Sequence, residues 1–374
     1  MFKSFFMAGF ECTTARNRYG HRLDQVSATQ HDRFVYEDYK RLSAVGIRTI
    51  REGLRWPFIQ QNTHFDFSSF DPFLNAAVRN NIEIIYDLFH FGYPDNVDIF
   101  SEYFAPQFAD YCYEAARYIR RNVPGPYYFT PINDPSYFAW AGGEVGLFAP
   151  YRTHCGPMLK RALARAAIQG IEAIWQACPG ARIVNADSLG RIVASYEHPE
   201  MQAAVDSYNK IAVYESWDML FGRIHPELGG SPKHLDIIGI NYSWTNQWQI
   251  DYPGIPLEDS DPRKLPFHEL IEQVASRYRS DVLVTGTSHV EEMRVPWLLE
   301  LTQEALTVLE RDIPLRGDCL YPILAMPEWH DQNTWTQTGL WELRENEGIL
   351  ERIPYKPAFE VLEDLQLSIG GRLV

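Results

Sequence analysis

Polar side chains able to hold and transform a small hydroxylated molecule recur directly after short apolar runs of this chain. Glu11 follows the run 5–10, and Arg51, Glu52, Arg55 and Trp56 stand at the end of 47–54. His90 closes 82–89, Asn133-Asp134-Pro135 follows 127–132, and Asn185 and Asp187 end 181–186. Asn241, Tyr242 and Trp244 follow 235–240, and Thr285-Gly286-Thr287-Ser288-His289 follows 282–285. Tyr321, Glu328 and Trp329 belong to the last run, 319–324, and the segment after it. Carboxylates and amides hydrogen-bond hydroxyls, imidazole and carboxyl groups move protons, and indoles stack on the apolar face of a sugar ring. Each residue alone has a plainer reading. Asn-Asp-Pro is a turn and helix cap, His90 a core histidine, Arg51 a counter-charge to buried carboxylates, and Trp56 and Trp329 core residues. Their joint placement is what points to a site.

That placement needs elements to carry it. Between the eight apolar runs lie amphipathic stretches of helical length at 33–45, 70–80, 104–121, 158–177, 265–276 and 295–310. Strands that alternate with helical crossovers form a parallel sheet buried on both faces. Eight such units predict one closed (β/α)₈ TIM barrel, an α/β fold spanning residues 1–374 as a single domain. An open doubly wound sheet would carry a glycine-rich turn after its first strand, and none is present. In a barrel the C-terminal strand ends share one face, so the residues above are expected to converge. The long connections 142–155 and 244–262 follow the fourth and sixth strands and are expected to wall that face.

Composition narrows the partners. The 374 residues carry 34 Lys+Arg against 49 Asp+Glu, a net charge of −15, which disfavours nucleic acid and anionic membrane. Fourteen per cent of residues are aromatic, which suits a pocket that stacks on sugars. The five cysteines have no C-x-x-C spacing and are read as reduced thiols of a cytoplasmic protein. His31, His64, His90, His289 and His330 lack ligand-pair spacing, so no zinc is expected. No stretch is apolar for long enough to span a membrane.

Read in order, the motifs resemble glycoside hydrolase family 1, the β-glucosidase type of retaining glycosidase. The family's R-F-S-I-x-W-P-R-I is matched by Arg51-Glu52-Gly53-Leu54-Arg55-Trp56-Pro57-Phe58-Ile59, and its L-x-H-W by Leu88-Phe89-His90-Phe91. T-x-N-E-P and the later G-x-x-A-P are matched by Thr130-Pro131-Ile132-Asn133-Asp134-Pro135 and Gly146-Leu147-Phe148-Ala149-Pro150. D-F-I-G-x-N-Y-Y is matched by Asp236-Ile237-Ile238-Gly239-Ile240-Asn241-Tyr242-Ser243. W-S-L-x-D-N-F-E-W is matched loosely by 321–329. The resemblance implies that Arg51 orients a nucleophile and that His90 and Asn133 bind sugar hydroxyls. It places Tyr242 beside the nucleophile, Glu328 and Trp329 at the far hydroxyls, and Glu11 near a sugar-binding Gln. It implies a small glycoside as ligand and no metal or organic cofactor.

Two positions depart from the family. Its acid/base Glu is Asp134 here, and its nucleophilic Glu is Gly286. Retaining hydrolysis uses two carboxyl groups about 5–5.5 Å apart, and glycine supplies none. An inverting route would need another carboxylate, with Glu52 or Glu11 as candidates, opposite Asp134. Hydrolysis as written is therefore expected to be impaired. Three readings stay open at this point: a glycosidase with an engineered loss of its nucleophile, a natural carbohydrate-binding pseudoenzyme, and a repurposed glycosyl-transferring enzyme. In all of them Arg51 would face a cationic hole left by the missing anion.

Overall fold

The computed structural model describes residues 2–61 and 64–373. Eight strands, β1 (Phe6–Gly9), β2 (Thr49–Gly53), β3 (Glu83–Asp87), β4 (Tyr128–Thr130), β5 (Arg182–Ser188), β6 (Ile237–Asn241), β7 (Asp281–Thr287) and β8 (Leu315–Leu320), close into a barrel in chain order. All eight neighbour pairs are parallel. The connecting helices are α1 (His31–Ala44), α2 (Asp71–Asn80), α3 (Phe104–Asn122), α4 (Gly156–Ala177), α5 (Gln202–Lys210), α6 (Glu215–Phe221), α7 (Phe267–Tyr278) and α8 (Arg294–Glu310), with α9 (Lys356–Leu373) after β8. This is the (β/α)₈ architecture expected from the alternation of runs. No described helix is long and apolar enough to cross a membrane.

The eighth strand begins at Leu315, four residues before the apolar run that marks it in the sequence. Arg316 and Asp318 break the pattern there. Helices α5, α6 and α9 have no counterpart among the stretches read from the sequence. The first two are short, and α5 presents only Val205 to the core.

Alternation along the strands sorts side chains to the two faces of the barrel wall. Met7, Ile85, Tyr128, Val184, Ile237, Leu283 and Cys319 meet inside and form an apolar floor. Two to four residues further on, Asp87, Asn241 and Thr285 turn the interior polar toward the mouth. The other face of each strand packs on the helices in one continuous core. Gly9 is required at the end of β1, because a Cβ there would lie 1.9 Å from the Tyr321 ring.

Cys319 faces the floor, so its neighbour Asp318 faces the helices. Asp318 is fully buried and neither carboxyl oxygen has a hydrogen-bond partner among the described residues. Burial pushes its pKa up to about 8. The folded chain then holds a proton that the unfolded chain releases near pH 4. Stability is full below about pH 4 and falls as the pH rises toward 8. Asp318→Asn is expected to raise stability by about 2 kcal/mol at pH 7, after its own unmet donors are counted, and to lower it by about 2 kcal/mol at pH 3.5, where only those donors count. Urea unfolding at the two pH values measures the difference.

Glu52 points outward as well, away from the mouth. His31 in α1 contacts it through Nε2 at 3.0 Å, and the Tyr39 hydroxyl donates to the same oxygen at 2.9 Å. His31 Nδ1 meets Asp38 at 2.9 Å, and Arg352 grips Asp38 through two bonds of 2.9 Å. Glu52 is thereby removed as a second carboxylate for Asp134. Arg352 lies on the hairpin Trp341–Asn346 and Ile349–Pro354, so this network ties the chain's late segment to its first helix.

Candidate active site

At the mouth, the ends of β1, β2, β4, β6 and β7 surround a cavity of about 360 Å³. Glu11, Arg51, His90, Asn133, Asp134, Tyr242, Gly286 and Trp329 all line it. Eight of the nine site residues expected from sequence thus converge, across residues 11 to 329. Glu328 does not. It is exposed, its carboxylate is held by the Thr336 hydroxyl, and it is absent from the cavity wall. The match to the family was loosest there: β8 ends at Leu320, and residues 326–327 leave the barrel to pair with 335–336.

The polar base of the cavity is one hydrogen-bonded unit. Arg51 donates through Nη2 to Asp87 at 2.6 Å and to Asn133 Oδ1 at 2.8 Å. Nη1 donates to the Thr285 carbonyl at 2.5 Å. Asn133 Oδ1 also accepts from Asn241 at 3.2 Å, and Asn133 Nδ2 donates to His90 Nε2 at 3.3 Å. His90 Nδ1 meets Asp87 at 3.4 Å. Burial opposes ionisation of Asp87, but the Arg51 charge beside it, helped by His90, pulls its pKa below the usual range. The cationic hole expected at Arg51 is therefore filled. The arginine neutralises a buried carboxylate, the plainer reading its sequence context allowed.

Asp134 stands in the left-handed region, φ 50°, just before the short helix Pro135–Phe138. An aspartate tolerates that conformation, and strained backbone of this kind gathers at functional sites. Its carboxylate accepts from the Ser188 amide at 3.0 Å, the Ser188 hydroxyl at 2.8 Å and Asn241 at 3.3 Å. Asp187 lies beside it and accepts from the Ser136 amide at 3.0 Å and hydroxyl at 2.7 Å. Burial, then the Asp134 charge and a hydrogen bond to Asp134, push the Asp187 pKa up.

The wall at β7 is bare backbone. A Cβ on Gly286 would lie 3.0 Å from Asn241 Oδ1 and 3.7 Å from Tyr321 Cβ, so a side chain has room once Asn241 yields slightly. Tyr242 does sit beside this position, its amide donating to the Gly286 carbonyl at 2.9 Å. Its hydroxyl accepts from Gln247 at 2.8 Å and its ring stacks on Phe267 at 4.0 Å. Glu291 and Glu292 are exposed and cannot replace the missing carboxylate.

Aromatic rings close the rest. Trp329 packs against Phe91, Tyr137 and Phe148 at 5.9, 6.0 and 5.7 Å. Of the two long connections, the one after β6 supplies Thr245 and Asn246 to the lining, whereas the one after β4 supplies none and reaches only Trp329, through Phe148. Sequence reasoning passed over Phe91, Tyr137 and Asp87 as site residues. The alternation Glu83, Ile85, Asp87 carries a signal for the last, since it sets Asp87 inside the barrel. Cys12, Asp87 and His90 bring ligand atoms within 4.8 Å of one another. Arg51 sits on that carboxylate, and burial holds the Cys12 thiol protonated, so the trio suits a hydrogen-bonded cluster better than a cation.

Fold and mouth together define a (β/α)₈ barrel with a polar, aromatic-walled cavity at the C-terminal face. Solved structures of a β-glucosidase from Thermotoga maritima share the barrel fold. A structure described as a family 1 β-glucosidase superposes with TM-score 0.76 at 14% identity, covering 97% of both chains. The complex with glucoimidazole gives 0.77 at 14% over 97% of this chain and 98% of that one. The complex with noeuromycin gives 0.74 at 15% over 90% and 87%. At such identity the likeness is one of fold. No protein-family model and no curated protein matches the sequence.

Proposed function

We propose that the mouth cavity binds a β-linked glycoside and that this chain does not hydrolyse it by the two-carboxylate retaining route. The observation that carries the reading is the bare wall at Gly286, set within an otherwise complete sugar-sized cavity. Of the lining residues only Glu11 and Asp134 are carboxylates. Asp134 is turned onto Ser188 and Asn241. It accepts hydrogen bonds and is poorly set to donate a proton to a leaving group. With no nucleophile opposite, the cavity retains polar partners for hydroxyls and rings for an apolar sugar face. The shared fold with β-glucosidases supports a glycoside as the ligand class.

Calorimetric titration with methyl β-glycosides, run beside release of nitrophenol from aryl β-glycosides, tests this. Saturable heat without release is expected. Absence of heat with glucosides, galactosides, mannosides and fucosides alike, or steady release above buffer, would overturn it.

A further inference from the structure

The cavity's charges do not balance. Its basic residues are Arg51 and His90, and both are spoken for: Arg51 by Asp87 at 2.6 Å, His90 by Asp87 on one ring nitrogen and Asn133 on the other. Its acidic residues are Glu11 and Asp134, and neither has a cationic partner within ion-pair distance among the described residues. Glu11 is 94% buried, the complement of its 6% exposure. One oxygen accepts from the Thr13 amide at 3.0 Å, and the other takes no hydrogen bond among the described residues. That oxygen opens onto the cavity and accepts from whatever the cavity holds, most strongly from a cation, because the surrounding wall screens the attraction little.

Resting on the glycoside reading above, we propose that the ligand is a glycoside bearing a free amino group, held as an ammonium against the open oxygen of Glu11. A sugar ammonium offers three donors and a full charge where a hydroxyl offers one donor and none. Asp134 adds to the negative field from β4, while the Arg51–Asp87 pair contributes little net charge. The protein's overall charge of −15 favours the approach of a cation as well. The partly apolar lining from Phe91, Tyr137 and Trp329 then distinguishes an amino sugar from a bare amine or a metal ion.

Competitive calorimetry tests this with methyl β-glucoside and its 2-amino-2-deoxy, 3-amino-3-deoxy and 6-amino-6-deoxy counterparts, each amine replacing one hydroxyl of the same ring. At least one amine is expected to bind about 10-fold more tightly than the glucoside at pH 6, the scale of one charge-assisted hydrogen bond over a neutral one. Glu11→Gln, checked for native melting, should bring that ratio close to one. The preference should also fade as the pH is raised and the ligand's amine loses its proton. Equal affinity for the glucoside and all three amines overturns the proposal while leaving glycoside binding intact. A preference that survives Glu11→Gln overturns the assignment to Glu11. No binding of any ring overturns the glycoside reading itself.

Discussion

Gly286→Glu combined with Asp134→Glu is expected to raise hydrolysis of aryl β-glycosides by at least about 10³-fold over the parent, well under what a positioned nucleophile can supply. The argument is geometric. Gly286 ends β7 on the cavity wall, and its new Cβ needs only Asn241 to move by a few tenths of an ångström. Arg51 already donates to the Thr285 carbonyl next door, so a carboxylate at 286 enters beside a guanidinium able to share its charge with Asp87 and the newcomer. The second change lengthens the acid/base side chain by one C–C bond, about 1.5 Å, enough to leave the Ser188 anchor and reach into the cavity. Gly286→Glu alone should gain less, because Asp134 stays anchored and offers no proton. Asp134→Glu alone should gain nothing. If the folded double variant is as inactive as the parent on glucosides, galactosides, mannosides and fucosides, the cavity is not a retaining site lacking only these two carboxyl groups.

The largest effect on stability is expected at His31. The ring is fully buried, stacked on Phe10 at 3.6 Å, and joins Asp38 to Glu52. Burial alone would lower its pKa, but the Glu52 charge and the hydrogen bonds to Asp38 and Glu52 outweigh it and raise it to about 9. His31→Ala leaves buried carboxylates short of a partner and should cost about 3–5 kcal/mol at pH 6. The pH dependence has a defined sign. A group whose folded pKa exceeds its unfolded value, about 6.5, contributes fully below that value and loses the contribution as pH rises through 9. The native chain should therefore weaken between pH 6.5 and 9, and the gap between native and variant should narrow over the same range. Guanidinium unfolding at pH 6 and pH 9.5 measures it. A gap that is constant or widens contradicts a charged His31.

Much of this was legible in the sequence, for physical reasons that also explain what was not. A parallel strand buried on both faces writes itself as an apolar run, so seven of the eight strands were found near their true positions. The eighth was displaced because Asp318, buried without a partner, sits where an apolar residue would mark the run. Topology put a strand-end side chain at the mouth only where the pleat also turned it inward: eight of the nine residues given a role line the cavity, whereas Glu52 is held by His31 and Asn185 donates to the His234 carbonyl. Glu328 failed because it lies eight residues beyond the end of β8, where strand geometry no longer dictates direction. Pairing could not be read either. Which carboxylate neutralises Arg51, and which way Glu52 faces, depend on register around the barrel rather than on any local pattern. Asp87 and Gly286 are nearly 200 residues apart, and the substitution of one partner for another shows only in space.

The account turns on what the cavity does with a glycoside, and a crystal structure of the native protein soaked with an aryl β-glycoside measures that directly. The predicted result is an unbroken glycoside at the mouth, its ring against Trp329 and between Glu11 and Asn133, its anomeric carbon over Gly286 and its glycosidic oxygen toward Asp134. A larger groove of about 760 Å³ lies outside the mouth, between the strand Arg191–Val193 and α5. Glycoside in that groove with the mouth empty, or cleaved sugar at the mouth, would contradict the account.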